Sequence, residues 1–323
     1  MSRYQGIYAI LLDQYIDFKR NLGYKFESAE NTYHLFDQFS ILNGETEIGV
    51  TKELAEKWTK KRPNESDSTR YKRIMYLIQF TSFLNDSGYL SYIPRLPKAY
   101  KSTFTPYIFS KDEMHAIFTA SDRLEVNGSM DSAANVIPVL LRTLYGTGIR
   151  ISEALSIKVK DVNLNDKYFI IRQSKNGKER MIPFSDSLSY AYKQYQDSLP
   201  LIQGPGDFFF VKRNGQRCNR KVIYVWFRKV IWKAGIPHGG KSHGPRLHDL
   251  RYAFSIHSLA KMSETGLDLY YSLPILSEYL GHQSLEATEK YVRLTSEMYP
   301  GLLSDVTNIC IYAFPKADNH EAD

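Results

Sequence analysis

The chain has 323 residues, 43% hydrophobic and 24% charged, which suits two domains with buried cores and excludes a disordered or collagen-like polymer. Its two cysteines, Cys218 and Cys310, lie far apart and match no ligand spacing, so the sequence predicts neither a disulfide scaffold nor a zinc module, but a reducing, cytoplasmic setting. No stretch reads as a secretion signal or a bilayer span, and a net charge of +7 with a pI near 9.1 favours a polyanionic partner.

Taken in chain order, Ile7, Leu11, Tyr15, Phe18 and Leu22 recur at helical spacing, and Gly23 stands at the C-cap. Further helical stretches at about 28–42, 51–61 and 68–86, punctuated by Gly44, Pro63 and Gly88, make residues 1–91 an all-helical first domain. The segment from Tyr92 to Ser110 carries three prolines and three basic residues without helical periodicity, which predicts an extended basic linker over 92–109. Ser110-Lys-Asp-Glu113 reads as a capping box that opens a second domain, 110–300. That domain mixes helices with one hairpin, in which Lys167-Tyr-Phe-Ile-Ile-Arg172 and Glu179-Arg-Met-Ile-Pro183 flank the turn pair Asn176-Gly177. The fold class expected is therefore mainly α with a small β-sheet. Leu302 to Pro315 is too apolar for a free tail, so residues 301–323 are expected to dock on a neighbouring subunit, with the acidic end 318–323 frayed.

Four stretches of the second domain carry chemistry. They are Thr147-Gly-Ile-Arg150-Ile-Ser-Glu153, the hairpin lysines Lys175 and Lys178, Leu247-His248-Asp-Leu-Arg251, and Leu280-Gly-His282 with Tyr291 nine positions later (291 − 282). The order Arg, Lys, His-x-x-Arg, Leu-Gly-His, Tyr resembles the active site of the tyrosine recombinases, or phage integrases, over roughly residues 108–295. The helical first domain resembles the family's core-binding domain in length and class only. The resemblance implies strand cleavage by Tyr291 as nucleophile through a 3′-phosphotyrosyl intermediate, without ATP, metal or other cofactor. It also implies double-stranded DNA as partner and a homo-tetramer working on two sites.

The residue types fit that chemistry. Displacing the 5′ oxygen from phosphorus places extra negative charge on the equatorial oxygens, and two guanidinium forks, Arg150 and Arg251, would stabilise it. Read alone, Arg150 is a surface helix residue paired with Glu153 at i+3; by the resemblance Glu153 would orient the site. His248 and Arg251, three apart (251 − 248), share one helix face and reach one phosphate together, with His248 able to accept a proton; the plain alternative is a basic face lying on DNA. By resemblance Lys175 protonates the leaving oxygen, with Lys178 in reserve; either is otherwise a solvated turn charge. His282 by resemblance donates a hydrogen bond to the scissile phosphate, against a core histidine. Tyr291, one of 24 tyrosines, would by default pack in a core, and a phenol with a free pKa of about 10 needs cations and a proton acceptor to attack.

Two departures from the family are visible. Arg251 and His282 stand 31 positions apart (282 − 251), with the extra length near Ser263 to Leu273 predicting a longer loop or extra turn, and Tyr252 stands where many members carry histidine. In the first domain Lys57, Lys60, Lys61, Arg62, Arg70, Lys72 and Arg73 straddle Pro63 and read as a phosphate-gripping edge, or else as a solvated basic helix face. Two domains joined by a basic linker suit a clamp around a duplex. The function expected is site-specific recombination for integration, excision or transposition of a mobile element. The alternatives are a type IB topoisomerase-like enzyme and a catalytically silent DNA-binding accessory protein.

Overall fold

The computed structural model describes residues 3–100, 105–125, 129–172, 179–240, 244–267, 269–281, 291 and 294. The chain divides into two compact units, Met1–Phe104 and Thr105–Asp323.

Unit 1 is built from α1 (Ala9–Asn21), α2 (Glu27–Leu42), α3 (Lys52–Thr59) and α4 (Asp67–Asp86). Thr51 and Ser66 cap the last two, their hydroxyls accepting from the backbone N–H of Leu54 and Thr69. The core is aromatic, with Tyr8, Tyr15, Tyr33, Phe36, Trp58 and Phe80 buried together. Two of its tyrosines direct their hydroxyls to backbone: the Tyr8 hydroxyl donates to the Gly49 carbonyl at 3.1 Å and that of Tyr33 to the Tyr76 carbonyl at 2.9 Å. The buried stripe of α1 is Leu11, Leu12, Tyr15 and Ile16, while Phe18 and Leu22 are 49% and 57% exposed, so the expected face is rotated. Residues 92–100 carry no helix or strand, and neither do 105–110.

Unit 2 begins at α5 (Lys111–Asp122), where Ser110 and Glu113 form both bonds of the capping box. Then follow α6 (Ile137–Thr147), the single turn α7 (Ile151–Ala154), the strands β1 (Val162–Asn163), β2 (Tyr168–Ile171) and β3 (Arg180–Pro183), and α8 (Asp186–Asp197), α9 (Arg220–Lys233), α10 (Asp249–Glu264) and α11 (Leu269–Leu280). The sheet is antiparallel in the order β1-β2-β3, with Phe169 opposite Ile182 and Ile171 opposite Arg180. The expected hairpin is thus present in its strands; its Asn176-Gly177 turn lies outside the described residues, and β1 was not foreseen.

Helix α6, IPVLLRTLYGT, is apolar nearly all round and is packed against α5, α8, α9 and α10. Its two buried threonines donate back into their own helix, Thr143 to Val139 O at 2.8 Å and Thr147 to Thr143 O at 2.6 Å. Among the described residues no helix is long and apolar enough to cross a membrane. Where the sequence predicted a longer loop or extra turn, near Ser263 to Leu273, α10 runs through Ser263 and Glu264, Thr265-Gly266 form a turn, and α11 starts at Leu269.

Candidate active site

The site forms where α6 ends. Gly148, at φ +59°, caps α6 in the left-handed region, and a Cβ there would stand 2.3 Å from Cδ1 of Phe254. The reversed chain puts Arg150 at the head of α7, where its backbone N–H donates to Glu153 Oε2 and its guanidinium to Oε1, both at 2.9 Å. The carbonyl of Gly148 accepts from Arg251 Nη1 at 2.7 Å. The Thr-Gly-Ile-Arg stretch thereby fixes both arginines.

Arg251, on α10, is 2% exposed, and its second arm donates to the carbonyl of Leu280 at 2.9 Å, at the end of α11. Its side chain also hydrogen-bonds that of Tyr291. Tyr291 is 4% exposed and packs with Leu259, Leu276 and Leu280. An aromatic row connects it to the head of α10: Tyr252 lies 5.2 Å from Tyr291 and 5.6 Å from His248, edge-on to the imidazole. Burial raises the Tyr252 phenol to about 12, and the proximity of Tyr291 adds to it.

His248 is exposed to solvent. The protein mass around the ring nevertheless disfavours an imidazolium, and the positive charges of Arg251 and Arg150 add repulsion, so its pKa is pushed down to about 4. The imidazole is therefore neutral at physiological pH, within reach of the charges of both arginines. For Glu153, burial would favour protonation, but hydrogen bonds from Arg180 and the Arg150 backbone, together with both guanidinium charges, hold the carboxyl below its ordinary range. It is a carboxylate.

Of the residues the sequence singled out, Arg150, Glu153, His248, Arg251 and Tyr291 are thus gathered in one place. Lys175, Lys178 and His282 lie outside the described residues, as does the segment 301–323. One residue was missed. Arg180, first in β3, donates to Glu153 with Nη2 at 2.9 Å and Nη1 at 3.3 Å, and with Nε to the carbonyl of Tyr279 at 3.2 Å. The signal was strand alternation: Arg180 shares a face with buried Ile182, and a charge on the inner face needs a buried partner.

The basic cluster of unit 1 divides. Lys57, Lys60, Lys61, Arg62 and Lys72 are exposed, and Arg70 donates to the Thr59 carbonyl at 3.0 Å. Lys57 and Lys61 pair with Glu53 and Asp67, and Arg62 lies over the Trp58 ring. Arg73 is a correction: 4% exposed, it pairs with Glu65 at 2.7 Å and donates to the carbonyls of Trp58 and Lys60, so its donors are occupied inside the fold. A guanidinium that closes a turn from within is not part of an exposed basic edge.

Comparison with known proteins bears on the same region. A family model described as the phage integrase family matches residues 108–298. A Sinorhizobium fredii protein that carries the name integrase/recombinase y4rB is 26% identical over 303 residues, 89% of this chain and 93% of its own. Tyrosine recombinase XerA of Pyrococcus horikoshii is 28% identical over 207 residues, 63% of this chain and 61% of that protein. Among solved structures, a lambda integrase tetramer bound to a Holliday junction superposes with a TM-score of 0.62 at 16% identity, covering 87% of this chain and 75% of that one. The family match spans more than half of the chain and encloses every residue of the site, and the chain belongs to the phage integrase family.

Proposed function

We propose that this protein is a site-specific DNA recombinase that cleaves and rejoins strands through a 3′-phosphotyrosyl intermediate at Tyr291. The carrying observation is that Arg150, His248, Arg251 and Tyr291 are gathered at one site, with the side chain of Arg251 hydrogen-bonded to that of Tyr291.

In this reading the scissile phosphate enters between the two guanidinium groups, which hold its non-bridging oxygens as charge grows on them. His248 takes the phenolic proton, a role that the neutral imidazole suits. The Tyr291 oxygen forms a bond to phosphorus while the bond to the 5′ oxygen breaks, and Lys175, or Lys178, gives that oxygen its proton. The phosphoester bond is exchanged rather than hydrolysed, so a second 5′ hydroxyl can reverse the step onto another strand. The sequence of steps is complete with side chains alone. His282 would add a hydrogen bond to the same phosphate.

Exchange between two sites needs four active centres, and a tetramer on DNA, as in the lambda integrase structure, is the assembly we propose. Movement of a mobile element is the proposed task, with the protein acting in the cytoplasm. The test is a nicked suicide substrate carrying a site selected by binding from random DNA. The expected result is a covalent adduct on a denaturing gel that Tyr291→Phe abolishes; binding without any adduct would instead mark a catalytically silent DNA-binding protein.

A further inference from the structure

Arg180 occupies a position that the proposed chemistry does not use. Its side chain is 12% exposed, and the Glu153 carboxylate it meets is 2% exposed. That carboxylate divides its oxygens between two guanidinium groups, Arg150 Nη1 and Arg180 Nη1 both reaching Oε1 and Arg180 Nη2 reaching Oε2. The third donor of Arg180, Nε, binds the carbonyl of Tyr279 near the end of α11. Gly281 lies close by at φ +67°, and a Cβ there would come within 3.1 Å of Arg180 Nη1.

We infer that Arg180 is a positioning residue for strand cleavage, acting through Glu153 on Arg150 and through Tyr279 on the end of α11, two residues before Gly281. The inference rests on the recombinase reading given above. Two consequences follow from charge and geometry. With one carboxylate between two arginines the trio carries a net charge of +1, so Arg150 retains positive potential for a phosphate. Without Arg180 the remaining pair is neutral, and Glu153 competes for the same Arg150 donors that the phosphate needs. The second consequence concerns alignment. One planar fork fixes α7, β3 and the C-terminal end of α11 to each other, and displacement of a catalytic group by about 1 Å is enough to slow chemistry by about 100-fold.

The discriminating experiment is single-turnover cleavage of the suicide substrate, measured beside DNA affinity and thermal stability, for the full-length protein and the variants R180M, R180K, E153Q and R180M/E153Q. We expect R180M to slow formation of the Tyr291 adduct by about 100-fold with DNA affinity within about 3-fold of the parent. R180K, which keeps the charge but not the fork, should recover part of the rate. In R180M/E153Q the competing carboxylate is gone, so cleavage should exceed that of R180M alone, a compensation that loss of packing would not produce. If R180M does not fold, R180K and the E153Q comparison carry the same decision. Full-speed cleavage by a folded Arg180 variant, or a double variant slower than R180M, would overturn the inference alone. Absence of an adduct from the unaltered protein would overturn the recombinase reading and the inference together.

Discussion

Asp249 and Glu153 are both buried carboxylates beside the site, and their neighbours treat them oppositely. Glu153 has two arginines; Asp249, 1% exposed, has mainly backbone N–H groups, that of Arg246 at 2.8 Å among them. Burial therefore prevails, outweighing hydrogen bonds from Arg246 and Tyr107, and raises the Asp249 carboxyl to about 6. Because this pKa is above the unfolded value, the stability linked to Asp249 is fully present below about pH 4 and is lost as pH rises through about 6. The loss at pH 8 is on the order of 3 kcal/mol, from about 1.36 kcal/mol per unit. Asp249→Asn keeps an oxygen to accept from Arg246 and should raise the urea midpoint at pH 8 but not at pH 4. Equal effects at both values would refute the assignment. His248 runs the other way: its folded pKa of about 4 means that stability present above pH 6.5 is lost as pH falls through 4. The same neutrality predicts that cleavage shows no limb near pH 6.5; a limb there that disappears in His248→Asn would contradict it.

Elements place those residues, and the junction between α6 and α7 is tightly constrained. Gly148→Ala combines left-handed backbone, costing about 1–2 kcal/mol, with a clash on Phe254 worth about 1–3 kcal/mol. It also moves the carbonyl that holds Arg251. We expect a lower melting temperature and slower cleavage, with Phe254→Ala restoring some of the melting temperature by relieving the clash. Unchanged melting would show that the helix cap tolerates a side chain. Much of this level was legible beforehand: the capping box at Ser110 and the strands flanking Asn176-Gly177 follow from local chemistry. What was not legible depended on tertiary partners. Spacing alone gave α1 a stripe through Phe18 and Leu22, whereas packing against α2 and α4 selects Leu12 and Ile16 instead. Arg180 was given no role in the sequence because its partner Glu153 lies 27 residues away (180 − 153) and is joined only by the fold.

At the scale of the whole molecule, a net charge of +7 says that DNA attracts the chain but not which cations do so. The structure of unit 1 separates them by burial. Arg73 closes the Pro63 turn from inside against Glu65, with side chains 4% and 6% exposed, so Arg73→Gln leaves an uncompensated buried carboxylate and should cost about 3–5 kcal/mol. Lys60 and Lys72 are exposed, and among the described residues their side chains form no ion pair. If they meet phosphates, Lys60→Gln and Lys72→Gln should leave the melting temperature unchanged, weaken binding to all sequences alike, and each reduce the slope of log affinity against log salt by about one. Fluorescence anisotropy from 50 to 300 mM salt reads the slope, and calorimetry reads the melting. Arg73→Gln should shift melting without the slope change once measurements are made below its transition. Slopes identical to that of the parent for both lysine variants would mean that this edge is a solvated face, and that the charge gripping DNA lies elsewhere in the chain.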